Sequence, residues 1–229
     1  MRVRCSAIGK IMSKPRSKSE VLSETCKSYI EEILLEDMYG LKNEFSNKYT
    51  SKGNTVEQDS IDLCNDVLDL GFLYKNEQCF GNEFITGTPD VLTPDCLLDV
   101  KSSWSSKTFP MTKTKIPTKD YYYQLMGYMW LTGMKEATLA YCLVDTPKNL
   151  VEDEILKTHY KLGLSVSNLD EKIIEDVKSR HQFSAIPKSI RVKTFKVEYD
   201  EEVVMQIQEK ILACREYYDK TRKFLLENV

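Results

Sequence analysis

No stretch of the 229-residue chain approaches the length of apolar sequence that spans a bilayer, and no two cysteines stand in a CxxC spacing. The first lack excludes a spanning helix and any membrane partner that needs one. The second, with seven cysteines scattered from Cys5 to Cys214, argues against zinc or an iron–sulfur cluster. An odd number of thiols fits reduced cysteines inside a cell, and so a cytoplasmic protein. Histidine is scarce as well: His159 and His181 have no partners at metal-ligand spacing. A net positive charge is missing, since the formal balance is −3, and with it any chain-wide pull on nucleic acid. The basic opening "MRVRCSAIGKIMSK" reaches no apolar core of signal-peptide length, so a chain that is not exported is expected. Repeats and low-complexity blocks are absent too.

What is present suffices for one sizeable core. Hydrophobic residues make up 41% and no composition break divides the chain, so a single domain over 1–229 is expected. Charge is unevenly placed. Residues 1–18 carry Arg2, Arg4, Lys10, Lys14, Arg16 and Lys18, and residues 101–119 carry Lys101, Lys107, Lys113, Lys115 and Lys119, with no acid in either segment. Such runs are ordinarily solvated surface, but both flank candidate chemistry.

"SEVLSETCKSYIEEILLEDMYG" predicts an amphipathic helix from Ser19, with Val21, Leu22, Tyr29, Ile30, Ile33 and Leu34 at helical spacing and Gly40 as its stop. In "SKGNTVEQDSIDLCNDVLDLG", Val56, Ile61, Cys64, Val67 and Leu68 share a face, which predicts a second helix closed by Gly71, with Glu57 in its first turns. The pattern then shortens. "NEQCFGNEFITGTPDVL" and "LLDVKSS" read as adjacent strands joined by the turn "TPDC". "DYYYQLMGYMWLTG" returns to helical spacing, and "EATLAYCLVD" is a buried strand closed by Pro147. An amphipathic helix over about 165–182, the alternating strand "IRVKTFKVEY" and a charged helix from Asp200 complete the chain. Strands interleaved with helices predict an α/β fold, a central mixed sheet flanked by helices. Its parts are a helical region over about 1–75, a core over about 76–145, and a helix–strand–helix region over about 150–229 that reads as structural.

"GTPDVLTPDCLLDVKSSW" is where chemistry is expected. On a strand, Asp99 and Lys101 emerge from one face while Leu98 and Val100 take the other. Leu97, Leu98 and Val100 mark this strand as central, where unpaired charge is expensive. Asp90, at the end of the preceding strand, is folded back by "TPDC", so the two aspartates can converge. Close carboxylates repel unless a cation or a shared proton intervenes. Oxygen ligands without histidine point to Mg2+ or Mn2+, as one or two ions. Taken alone, Asp90 reads equally as a turn residue after proline, and Glu57 as solvated helix surface. Gln124 and Tyr128, four apart, share a helix face, where Tyr128 could be core. Trp104 and Phe109 flank Lys107; such an arrangement either stacks on unpaired bases while lysine meets phosphate, or anchors a loop.

In chain order, Glu57, Pro89-Asp90, Asp99-Val100-Lys101 and the Gln124–Tyr128 pair resemble the motifs of the PD-(D/E)XK nuclease superfamily, in its RecB-like and phage-exonuclease branch. The likeness runs from about Lys52 to Trp130. The opening "SAIGKIM" is similar to that of λ-exonuclease and YqaJ-type viral recombinases, in which a serine and an arginine hold a 5′-phosphate; Ser6 and one of Arg2, Arg4 or Arg16 match. Many members carry glutamate where this chain has Asp99, and the shorter side chain bears on metal geometry.

The resemblance implies a restriction-endonuclease-like core and a Mg2+-dependent deoxyribonuclease that trims linear duplex DNA, with Ser6 favouring 5′ to 3′ polarity. Asp90, Asp99 and the Val100 carbonyl would hold one metal, and Glu57 would complete that site or help a second. Lys101 would orient or deprotonate the attacking water. Gln124, Tyr128, Ser102, Ser103, Trp104, Lys107 and the N-terminal residues would contact DNA. Recombination, replication or repair, a single-strand annealing partner and a ring-shaped homo-oligomer belong to the same implication. Two alternatives share the motifs: a structure-specific or nicking endonuclease, and a nuclease-fold binding module without turnover. The intact carboxylate set argues against the second, because it repels phosphate.

Overall fold

The structure is a computed structural model and describes residues 1–41, 47–165 and 169–228. The chain opens on a two-residue strand, β1 (Val3–Arg4), a 3-10 turn over Cys5–Ala7 and a single-turn helix, α1 (Ile8–Ile11). Helix α2 (Glu24–Tyr39) starts later than its apolar spacing predicts. Ser23, not Ser19, accepts the Cys26 amide as N-cap, and Val21 stays exposed. Its stop is as predicted, with Gly40 in the left-handed region at φ 66°.

The helix expected next is two. α3 (Lys48–Thr55) and α4 (Glu57–Val67) meet at Val56, whose ψ of 20° breaks the run, and α4 ends before Leu68 rather than at Gly71. Short strands β2 (Phe80–Gly81) and β3 (Ile85–Gly87) follow, and β1 joins them in a three-stranded sheet of order β1-β3-β2.

Strands β4 (Val91–Thr93) and β5 (Cys96–Ser102) form the antiparallel hairpin across Pro94-Asp95. Helix α5 (Lys119–Thr132), capped by Thr118 and closed by Gly133, crosses over to β6 (Glu136–Cys142), which lies parallel to β5. A parallel pair requires such a crossover. Next comes α6 (Lys148–Lys161), a helix that sequence periodicity missed, then α7 (Glu171–Ser179). The helix expected over about 165–182 is therefore shorter than predicted, and Val166–Asn168 at its start lie outside the described residues. Strand β7 (Val192–Glu198) pairs antiparallel with β6, and α8 (Glu201–Glu227) begins at the Asp200 cap. The four-stranded sheet has the order β4-β5-β6-β7, mixed in direction as predicted.

Side-chain alternation divides this sheet into two packed faces. Leu97, Leu139, Phe195 and Val197 meet Leu125, Met126 and Met129 of α5, with α1, α2 and α8 adding to the same core. Leu98, Val100, Ala140 and Cys142 meet Ile61 and Cys64 of α4 on the other. Helices covering both faces bury β5 and β6, which explains their apolar runs. All seven cysteines are free thiols, six of them buried and Cys79 exposed. Among the described residues, no helix is long and apolar enough to cross a membrane.

Candidate active site

The hairpin register decides which acids meet. Val91 pairs with Leu98, so one further step brings Asp90 opposite Asp99 on the α5 face. Asp90 thus precedes the second strand of this region rather than ending one. Its Oδ2 accepts the Val100 amide at 2.7 Å. Asn76 fixes the loop from behind: its amide nitrogens donate to the Pro89 carbonyl at 2.9 Å and the Asp90 carbonyl at 2.8 Å. Because a residue's N–H and C=O leave a strand on the same edge, the Val100 carbonyl also faces the Asp90 side.

Asp99 is fully buried, and Lys101 Nζ lies 2.6 Å from its Oδ2 as an ion pair. The ammonium also sits 5.0 Å from the Tyr121 ring centroid. Burial pushes the Asp90 carboxyl up to about 8, and the charges of Asp99 and Glu57 add to it against a smaller opposing pull from Lys101. Burial alone would depress Lys101, but Asp99 and Asp90 outweigh it and hold the ammonium above its ordinary range.

Helix α5 supplies the next layer. Gln124 Nε2 donates to Asp99 Oδ1 at 3.3 Å and to Tyr128 Oη at 2.9 Å, so both residues face the carboxylates from one side of the helix. Burial, then the Asp99 charge, pushes the Tyr128 hydroxyl up and keeps it a proton donor. Two glycines let α5 lie this close. A Cβ on Gly127 would sit 2.5 Å from Ile8 Cδ1, and one on Gly87 would sit 2.7 Å from both Cys5 Sγ and Tyr128 Cε1. Ser6 is exposed on the 3-10 turn beside Cys5, next to this contact.

The remaining candidates are more dispersed. Glu57 occupies the first turn of α4 and its charge reaches Asp90, but its carboxylate pairs with Lys75. Among the described residues no three acidic, cysteine or histidine side chains cluster around one point. Ser102 bonds Ser60 at 2.8 Å, and Ser103 is buried. Trp104 is also buried, edge-on to Tyr49 and His181 with Lys48 above it, which makes it an anchor of its loop rather than an open stacking surface. Lys107 is exposed. Arg2, Arg4 and Arg16 are exposed on the N-terminal segment, and among the described residues none of them bonds to the carboxylates.

Sequence reasoning missed four contributors: Tyr121 under Lys101, Lys75 on Glu57, Asn76 behind Asp90, and Lys52. Lys52 is fully buried and donates to the Ser103 and Val144 carbonyls, both at 2.8 Å, tying the ends of β5 and β6 together. Only Tyr121 carried a signal, since it lies on the same helix face as Gln124, three residues on.

The mixed sheet, the Asp90–Asp99–Lys101 face and the glutamine and tyrosine above it define a nuclease core of the PD-(D/E)XK class. No family model matches the sequence, and no curated protein matches it. Among solved structures, a phage-related exonuclease from Haemophilus somnus 129PT is 31% identical, aligned over 98% of this chain and 96% of that one, with a TM-score of 0.75. An alkaline exonuclease from Laribacter hongkongensis shares the fold at 13% identity, over 99% and 92% of the two chains, with a TM-score of 0.67. A second structure of that enzyme, with dAMP, aligns at 15% identity over the same shares with a TM-score of 0.62. The chain belongs to the phage exonuclease family of PD-(D/E)XK nucleases.

Proposed function

We propose that this protein is a Mg2+- or Mn2+-dependent exonuclease that hydrolyses phosphodiester bonds of linear duplex DNA from the 5′ end. The observation that carries the reading is the pair Asp90 and Asp99 with Lys101 beside them on the central strand, in a chain whose family consists of exonucleases. Asp99 is fully buried beside Lys101, and Asp90 is driven toward its neutral form by burial and by its neighbour. A hard dication satisfies both, and the donors on hand are oxygens: Asp90, Asp99 and the Val100 carbonyl. Glu57 would join them only by leaving Lys75.

When bound, the metal would polarise the phosphodiester and make water a stronger nucleophile at neutral pH. The protein's own groups do the rest. Lys101 sets a positive charge against the negative charge that grows on the phosphoryl oxygens. Gln124 holds Asp99 in one orientation, and Tyr128 presents a hydroxyl to the same pocket. Ser6 and one of Arg2, Arg4 or Arg16 are the candidate contacts for a terminal phosphate by resemblance to the family, which favours the 5′ end. Exposed lysines supply contacts independent of sequence, so binding weakens as salt rises.

The test compares linear duplex DNA bearing a 5′-phosphate with covalently closed circles, in Mg2+ and in EDTA, alongside Lys101→Ala. Loss of the linear substrate alone, with metal and in wild type only, is expected. Cleavage of circles would transfer the assignment to an endonuclease. Intact DNA in every lane would leave a binding module.

A further inference from the structure

The face that carries Lys101 continues beyond it. In one register row across the sheet, Lys101 pairs with Tyr141 and Tyr141 with Lys193, so Lys193 stands two strand spacings away, about 10 Å, on the same side. Aromatic rings bridge the interval. Lys101 lies over Tyr121, Tyr121 meets Tyr141 at 6.1 Å, Tyr141 meets Phe195 at 6.1 Å, and Lys193 Nζ lies 5.6 Å from the Phe195 centroid. At the far end of this row a cleft of about 800 Å³ opens between β7, the edge strand of its sheet, and the segment leading into α5.

Lys115 and Lys119 line the cleft opposite Lys193. None of the three forms an ion pair among the described residues. Lys196 does, with Glu136 at 3.1 Å, and Glu198 also lines the cleft. Glu198 closes β7 and Glu136 opposes it at the start of β6, so both acids lie away from Lys193, which leaves the end nearest Lys101 cationic. The walls are a helix, a loop and a sheet edge.

We propose that this cleft binds the phosphodiester backbone of single-stranded nucleic acid and leads it along the sheet to or from the Lys101 face. Unpaired cations supply phosphate contacts, while half-buried Tyr122 and Tyr123 on its wall offer ring surface to bases. The inference rests on reading the carboxylate face as a nuclease centre. It gives the C-terminal part of the chain a substrate contact through Lys193.

The test measures binding of a fluorescent oligothymidylate in EDTA across a salt series, for wild type and for Lys115→Ala/Lys119→Ala/Lys193→Ala. Single strands give a log–log slope of about −0.7 per phosphate contact, so the triple variant should bind at least tenfold more weakly with a slope shallower by about 2. A control, Lys148→Ala/Lys172→Ala/Lys220→Ala, should retain the wild-type slope. Melting curves check folding, and Lys115→Glu on the exposed loop gives a second variant that leaves the sheet untouched. Equal slopes in the cleft and control variants would overturn the proposal, as would a sedimentation change that assigns the cleft to a subunit contact. Degradation of linear duplex by wild type in Mg2+ is scored separately. Its absence counts against the nuclease reading, whereas its presence with unchanged slopes counts against the cleft alone.

Discussion

Gln124 Nε2 stands 3.3 Å from Asp99 Oδ1 while the same nitrogen reaches Tyr128 Oη at 2.9 Å. The amide therefore orients a buried carboxylate from the side opposite Lys101, a role distinct from the DNA contact that its motif suggests. Partners of this kind typically change metal affinity or activity 10- to 100-fold. Gln124→Ala should lower kcat/KM by about that factor and raise the Mg2+ concentration for half-maximal activity. A variant with unchanged metal dependence would show that Gln124 serves substrate instead.

Asp90 and Asp99 oppose each other across the hairpin, and burial together with the Asp99 charge drives the Asp90 carboxyl up despite the opposing charge of Lys101. A dication that binds only the folded chain should raise its stability, by about 2.7 kcal/mol at 100 times its dissociation constant. For a chain of this length the melting temperature should climb by several degrees on adding Mg2+. Asp90→Asn should abolish the Mg2+ response and cleavage together, yet melt in EDTA no lower than wild type. A wild-type melting temperature indifferent to Mg2+ and Mn2+ would contradict the metal assignment.

The acids were legible because two simple periodicities met in one short stretch. Alternation along β5 placed Asp99 and Lys101 on one face, and "TPDC" marked the turn that sets the register. Spacing could not show that Glu57 would turn to Lys75, because that pair joins a helix to a loop 18 residues on. Helix α6 escaped notice because its buried stripe is only Val151, Ile155 and His159, with a histidine where an apolar residue is expected. That histidine is satisfied inside the fold: Nδ1 is 2.9 Å from the Ile155 carbonyl, and Nε2 accepts the Asp170 amide at 2.8 Å. Lys52 was hidden for the opposite reason. A lysine among Ser51, Gly53 and Asn54 reads as surface, and only the ends of β5 and β6 reveal why it is buried.

Gly127 offers a test of how closely α5 must approach. Replacing glycine by alanine inside a helix ordinarily gains about 1 kcal/mol. Here the new methyl would meet Ile8 Cδ1 at 2.5 Å and Cys5 Sγ at 2.9 Å, and overpacking of a tight contact costs about 1–3 kcal/mol. The steric term should win. Gly127→Ala should be less stable than wild type in urea unfolding, and it should lose activity because Gln124 and Tyr128 ride on the displaced helix. Adding Ile8→Val, which shortens the opposing side chain, should recover part of both. A stabilised Gly127→Ala protein would mean that the 3-10 turn yields easily.

Lys52 supplies a pH signature. Burial pushes its ammonium down to about 8 from an ordinary 10.5, and Asp145 only partly opposes this. A lysine depressed in the folded state leaves the unfolded chain holding more protons between those values. Stability contributed through this group therefore rises with pH across the window from about 8 to 10.5 and is flat below it. The shift corresponds to about 3 kcal/mol. Lys52→Met removes the titrating group but strands the Ser103 and Val144 carbonyls, at about 1–3 kcal/mol each. The variant should thus lose ground against wild type as pH rises, by about 3 kcal/mol between pH 8 and 10.5, because only wild type gains there. Urea unfolding of both proteins at several pH values isolates the difference, since tyrosine and cysteine titrations are common to the two. Parallel profiles would show that Lys52 reaches solvent readily enough to titrate as a surface lysine, and that burial does not depress it.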